Sequence, residues 1–255
     1  MTTISFLNMK GGVGKSTCSV NVSVGIADKG HRTLLVDIDP QSNSTSMFLD
    51  ETPKENISGI IEGSVPGTKE AIVSVIDNLD LIPSSLLLAN TEANLRAQTH
   101  LPQHNRLLKA LSQVKDEYDY CIIDCPPTLN MLTLNIILAS SLIIIPIRPD
   151  RFALQGFGVT RDNLNSVRDS WGRDMGINFD YKILFTMVSR NNEERIIIEQ
   201  LRELTGPRAY KTEIRSQSKP VVAASSRSKP VIRETAQNAG VAEDLRQFVT
   251  ELMEG

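Results

Sequence analysis

Along the chain, short runs rich in Ile, Leu and Val recur between stretches in which apolar residues return every three or four positions. The runs are TISFLN (3–8), TLLVDID (33–39), LDLIP (79–83), YCIIDCPP (120–127), SLIIIPI (141–147) and KILFTMV (182–188). They are mostly apolar without strict alternation, the pattern of strands covered on both faces, and so predict a parallel sheet. Between them, helical spacing predicts helices over Lys15 to Lys29, Leu107 to Glu117, Gly156 to Trp171 and Glu193 to Leu204, with Gly30 as the C-terminal cap of the first. Strand–helix alternation of this kind predicts one α/β domain over residues 1–255, a doubly wound, mostly parallel sheet with helices on both faces. The least regular segments, Asp50 to Asn78 and Ser216 to Pro230, read as surface loops.

Composition narrows this picture. A chain of 255 residues with 40% hydrophobic content can bury a large core. Cys18, Cys121 and Cys125 form no CxxC pair, which excludes a disulfide framework and zinc spacing. With no basic leader and no apolar run of bilayer length, the expectation is a cytoplasmic protein that neither is exported nor spans a membrane. The net charge of −3 argues against nucleic acid as a partner for the chain as a whole, but the charge is unevenly spread. From Thr205 to Arg233 stand Arg208, Lys211, Arg215, Lys219, Arg227, Lys229 and Arg233 against the single acid Glu213, and the tail from Glu234 onward is acidic. A local basic patch survives an acidic total, the plain alternative being a solvated face.

Three motifs carry chemistry. GGVGKST, Gly11 to Thr17, follows a predicted strand and opens a predicted helix, the context a phosphate-binding loop requires. Gly11, Gly12, Val13 and Gly14 let the backbone turn its N–H groups inward toward an anion at a helix N-terminus. Lys15 neutralises β- and γ-phosphate charge, Ser16 places its hydroxyl on Mg²⁺, and Thr17 bonds the α-phosphate. In LLVDIDPQ, Asp37 and Asp39 occupy alternate positions, which puts both on one strand face at the C-terminal edge, where open α/β sheets bind ligands. One carboxylate can hold a metal or its waters while the other orients a nucleophilic water. In YDYCIIDCPP, Asp124 ends an apolar run as a second carboxylate near the metal, and Cys125 beside it reads as a small core residue. Lys10 is one cation more than a phosphate loop needs.

Taken together, KGGVGKST with its early lysine, VDIDPQSNST, LDLIPSS, IIDCPPTLNMLTLN and IPIRPDRFALQG resemble, in order and spacing, the ParA family of DNA-partitioning ATPases within the MinD/ParA group of deviant Walker-A P-loop NTPases. The resemblance covers nearly the whole chain, whose length is similar to the short forms without an N-terminal helix-turn-helix domain. It implies ATP and Mg²⁺ as cofactors and a homodimer that sandwiches two ATPs. Lys10 would cross to the phosphates of the partner subunit's nucleotide while Lys15 acts in cis. Asp39 would position the attacking water, Asp37 would support the metal shell, and Asp124 would be the second carboxylate at Mg²⁺. The PIRPDRFALQ stretch resembles the region that covers the nucleotide and lines the dimer interface. The resemblance further implies DNA binding without sequence preference, by some of Arg215, Lys219, Arg227, Lys229 and Arg233, on the nucleoid, with release when a ParB-like adaptor stimulates hydrolysis. One departure is EIRSQSK, with Arg215 where relatives carry the proline of Ile-Pro-Arg after the last strand. It leaves the adenine contacts unassigned.

Two other classes share this chassis. A MinD-like membrane-surface ATPase needs a basic amphipathic C-terminal helix, whereas VAEDLRQFVTELMEG sets Glu243, Asp244, Glu251 and Glu254 against Arg246 alone. An electron-transfer ATPase of the nitrogenase iron-protein kind needs two cysteines per subunit placed to share a cluster, a context that neither Cys18 nor Cys121 has.

Overall fold

The computed structural model describes residues 1–97, 103–172, 176–189, 191–216, 229–234 and 240–255. The apolar runs form the interior strands of one sheet: β1 (Thr2–Phe6), β2 (Thr33–Asp37), β4 (Leu79–Ile82), β5 (Tyr120–Asp124), β6 (Leu142–Ile147) and β7 (Asp180–Val188). Two further strands, β3 (Val73–Ile76) and β8 (Ala209–Arg215), form its edges, giving the order β3-β4-β2-β5-β1-β6-β7-β8. Every pairing is parallel except β3 with β4, an antiparallel hairpin turned at Asn78, whose φ is 60°. β3 has only four residues and its register slips between Ser74 and Ile76. β3 and the helix α3 (Ile57–Glu62) lie in the segment expected to be least regular.

Both faces of the sheet are covered, so successive residues of one strand enter different cores. Leu34 and Val36 of β2 enter the core that α3, α5 (Arg106–Ser112), α6 (Met131–Ala139), α7 (Ala153–Val167) and α8 (Asn192–Thr205) share along one face, while Leu35 enters the core on the other face with α1 (Lys15–Asp28) and α9 (Gly240–Glu254). Two shorter helices, α2 (Asn43–Ser46) and α4 (Leu88–Ala97), complete the set. Of the expected helices, the first, third and fourth match α1, α7 and α8 to within about one turn, and the second is shorter than expected because it ends at Ser112. Gly30 takes the cap position with φ 89°, its N–H donating to Ala27 O at 2.9 Å. Asn191 caps α8 by accepting from Glu194 N–H at 2.8 Å, and Glu194 answers by accepting Ser189 N–H at 2.6 Å.

α1 runs beneath the sheet centre and is buried almost all round. It meets α9 at Gly25, where a Cβ would lie 2.6 Å from Ile232 Cδ1 and 2.8 Å from Val249 Cγ2. The apolar face of α9, including Leu245, Phe248 and Leu252, is spent on this packing. Glu251, on the same helix, accepts the N–H groups of Lys211 and Thr212 on β8 at 2.7 and 2.9 Å. Among the described residues no helix is long and apolar enough to cross a membrane.

Candidate active site

The chain reverses its direction of progress across the sheet around β1, and ligand sites in open α/β sheets lie beyond the C-terminal strand ends at such a point. The loop between β1 and α1 carries Gly11 to Gly14, and Lys15, Ser16 and Thr17 form the first turn of α1. Gly12 and Gly14 adopt φ of 70° and 85°, a region that a side chain would strain, and Thr186 of β7 fastens the loop by donating to Val13 O at 2.9 Å. The result is a cleft of about 570 Å³ walled by Gly11, Gly12, Gly14, Lys15, Ser16 and Thr17 on one side and by Asp39 and Gln41 on another. That volume suits a nucleotide-sized ligand.

Lys15 is 7% exposed, with Nζ 3.4 Å from Lys10 O. Burial presses its ammonium below the usual lysine value, against the opposing pull of Cys125, Asp124 and Asp39. Lys10 behaves differently. Its ammonium leaves the loop and donates to the carboxylate of Asp150 at the start of α7.

The two aspartates of VDID separate. β2 ends at Asp37, so Asp39 lies in the turn beyond it and the expected same-face pair on the strand does not form. Asp37 faces Asp124 across the parallel β2–β5 register, both fully buried. Its Oδ1 accepts Asp39 N–H at 3.0 Å and its Oδ2 accepts the N–H and hydroxyl of Thr45, each at 2.8 Å. Asp124 accepts the Ser44 hydroxyl at 2.7 Å and is hydrogen-bonded by Ser16. Burial raises both carboxyls, Asp37 to about 7, and Asp124 adds to that rise through like charge. Asp39 instead lines the cleft, its Oδ1 accepting Gln41 N–H at 2.9 Å and its backbone carbonyl held by Ser84 Oγ at 2.8 Å. Loop, Lys15, Asp39 and Asp124 are therefore brought together, with Asp37 behind them ordering the turn.

The far end of the cleft is made by residues that carry no motif: Val20, Asn21, Met47, Met187 and Val231. Asn21 accepts Ile232 N–H at 2.7 Å, which pins Val231 over the cleft. Met187 has φ 55°, an outlier for a non-glycine residue that faces the loop at Gly14. No local spacing announces this wall, because it is assembled from four separate parts of the chain.

The basic segment is only partly at hand. Lys219 and Arg227 lie outside the described residues, and Lys229 is exposed. Arg215 belongs to β8, not to a segment after it, and forms a two-pronged pair with Asp244 at 2.7 Å on each prong. Arg233 pairs with Asp28 at 2.6 Å and Arg208 with Asp180 at 3.4 Å. All three cysteines are buried.

The family model described as an AAA domain matches residues 1–177. The sporulation initiation inhibitor protein Soj of Bacillus subtilis is 36% identical over 234 residues, spanning 90% of this chain and 89% of that protein. The chromosome partitioning protein ParA of Caulobacter vibrioides is 31% identical over 242 residues, spanning 93% and 88%. An ATP complex of McdA from Cyanothece shares the fold with a TM-score of 0.85 over 100% of this chain and 96% of that one, at 20% identity. Aligned with such relatives along nine-tenths of its length, and carrying the two-lysine phosphate loop KGGVGKST, the chain belongs to the ParA/Soj family of deviant Walker-A P-loop ATPases.

Proposed function

We propose that Lys15, Asp39 and the loop amides form the hydrolytic site of this ATP-driven partitioning ATPase, and that Lys10 serves the site of a second copy. The observation that carries this reading is the divergence of the two lysines: Lys15 lies inside the cleft wall, whereas the Lys10 ammonium points out of its own loop to Asp150. A cation on the rim is placed to complete a neighbour's phosphate site, which ties dimer formation to the γ-phosphate. Inside the cleft, Gly11 to Thr17 would cradle the phosphates, Lys15 would neutralise them, and Asp39, with its carboxylate held by the Gln41 N–H, would orient the attacking water.

The donor set suits Mg²⁺. Among the described residues no three His, Cys, Asp or Glu side chains gather into a metal site, and Mg²⁺ is ordinarily held by one or two carboxylates and the substrate's phosphates. The Ser16 hydroxyl and Asp124 would hold it, with Asp37 supporting from behind. When bound, the ion neutralises phosphate charge. The partners of this reading are a second copy of the chain, DNA without sequence preference, and a ParB-like adaptor. The protein then works in the cytoplasm on the nucleoid, as a single domain over residues 1–255. A membrane-surface role would need the apolar face of α9, which is buried against α1 and β8. Electron transfer would need cysteines at the surface, and all three are interior.

Asp39→Ala tests the site. The cradle stays intact, so ATP binding measured by calorimetry should match wild type while stimulated turnover falls by about 100-fold or more, the scale of a lost general-base contribution. Turnover at the wild-type rate with DNA and adaptor present would remove Asp39 from the catalytic group.

A further inference from the structure

β2 ends at Asp37, so Asp39 stands beyond the hydrogen-bond ladder of the sheet and other groups must fix its position. Within the turn, Asp37 Oδ1 accepts Asp39 N–H at 3.0 Å, and Asp39 O accepts Ser42 N–H at 2.9 Å. Ser42 takes φ 53°, a costly value for a serine, and a turn that carries such a cost persists only where its surroundings over-determine it. Those surroundings are the two strands that flank β2. At the end of β5, Asp124 O accepts Ile38 N–H at 3.0 Å. From the loop after β4, Ser84 grips the turn twice: its hydroxyl donates to Asp39 O at 2.8 Å, and its N–H donates to Thr45 Oγ1 at 2.8 Å. Thr45 is the residue whose own hydroxyl and N–H go to Asp37. Ser84 is itself clamped, its carbonyl accepting the Thr52 hydroxyl at 3.3 Å, while Pro83 O accepts Ile57 N–H at 3.0 Å. Ser84, Thr45 and Asp37 are each no more than 1% exposed, and only Asp39 reaches the cleft.

We propose that Ser84 is a positioning residue for hydrolysis: its hydroxyl hooks the Asp39 backbone to the loop after β4 and so sets where the Asp39 carboxylate stands relative to the attacking water. This rests on the reading of Asp39 as the water-orienting group. A carboxylate in that role works only within hydrogen-bond reach of its target, and a shift of about 1 Å can cost as much as 10²-fold in rate. Releasing the hook therefore lowers turnover while the phosphate cradle, built by another part of the chain, keeps its grip on ATP. The loss is smaller than that of removing the carboxylate, because Asp37 and Ser42 N–H still hold the turn.

The experiment is Ser84→Ala, alone and in an Asp39→Ala background, with hydrolysis of γ-labelled ATP in Mg²⁺ followed under single-turnover conditions. On its own the substitution should lower the rate by about two- to tenfold, the scale of one neutral hydrogen bond. The ATP dissociation constant from calorimetry should stay at the wild-type value. In the Asp39→Ala background the same substitution should change nothing, since a residue that acts through Asp39 has nothing left to position. Asp39 O keeps Ser42 N–H, so alanine orphans no buried acceptor and the fold should hold. Ser84→Thr, which keeps the hydroxyl, should hydrolyse ATP like wild type, and Ser84→Cys, near serine in shape but a weak donor, should fall with the alanine variant. Wild-type rates in both Ser84→Ala and Ser84→Cys would overturn the role of Ser84. So would an equal loss in the Asp39→Ala background, which would mean that Ser84 supports the site by some route other than Asp39. The underlying reading fails separately, through an Asp39→Ala protein that hydrolyses ATP at the wild-type rate.

Discussion

Lys10 and Lys15 show how far a single residue can be read from its neighbours. The role proposed for Lys15 follows from local spacing alone, since glycines, lysine and hydroxyls at fixed offsets between a strand and a helix are the pattern of a phosphate cradle. The fate of Asp37 does not. It depends on where β2 stops and on Thr45, eight positions onward, folding back to occupy its carboxylate. Arg215 was equally opaque, because its partner Asp244 is brought from α9. The cysteines give a prediction at this scale. Burial holds the Cys18 thiol up to about 12 and raises those of Cys121 and Cys125 as well. A raised acid pKa means that the unfolded chain loses these protons first, near pH 9, so the thiols stabilise the fold below that pH and the contribution fades as pH rises beyond it. At pH 8 a colorimetric disulfide reagent should therefore label none of the three in the native protein and all three in denaturant. Rapid native labelling of any of them would contradict the packing.

At the scale of elements, legibility tracked burial. Strands covered on both faces appear as unbroken apolar runs, and all six were readable. The edges were not: β8 alternates Tyr210, Thr212 and Ile214 inward with Lys211 and Glu213 outward, and its polar half hides it. α6 was missed because MLTLNIILA is apolar nearly all round, which erases the helical period. α9 was read for its charge, and the partner for its apolar face became evident only with α1 beside it. That contact carries the second prediction. Gly25→Val drives side-chain atoms into Ile232 and Val249. Overpacking of this kind costs roughly 1–3 kcal/mol, more than the few tenths by which valine improves on glycine in a helix. The urea midpoint should drop by an amount in proportion, with the slope unchanged. An unaltered midpoint would mean that α1 and α9 separate freely.

For the whole molecule the question is which basic side chains are available to a polyanion. Of the five side chains proposed to meet DNA, Arg215 and Arg233 are already answered by Asp244 and Asp28, so the test falls on the other three, Lys219, Arg227 and Lys229. ATP-dependent binding to DNA should ignore sequence and weaken steeply with salt, because each neutralised phosphate releases condensed counterion. Replacing those three by Glu should lower affinity and flatten the plot of log affinity against log salt by about one unit of slope for each lost contact per subunit, with ATP binding intact. Arg215→Glu should act otherwise: it sets two carboxylates against each other at the β8–α9 junction and should lower the thermal midpoint. A triple variant that shifts DNA like wild type at moderate salt would place the DNA surface elsewhere.

The two rims of the sheet bear on life at high density. A protein that gathers on a polymer meets its own copies at concentrations where open strand edges recruit one another into fibres. Here each rim is blunted in its own way. β3 offers four residues with a slipped register, and the N–H groups of Lys211 and Thr212 on β8 are plugged by Glu251. Among the described residues neither rim offers a long, regular, open edge, so on the proposed reading self-association is left to the face where nucleotide would license it and hydrolysis would undo it.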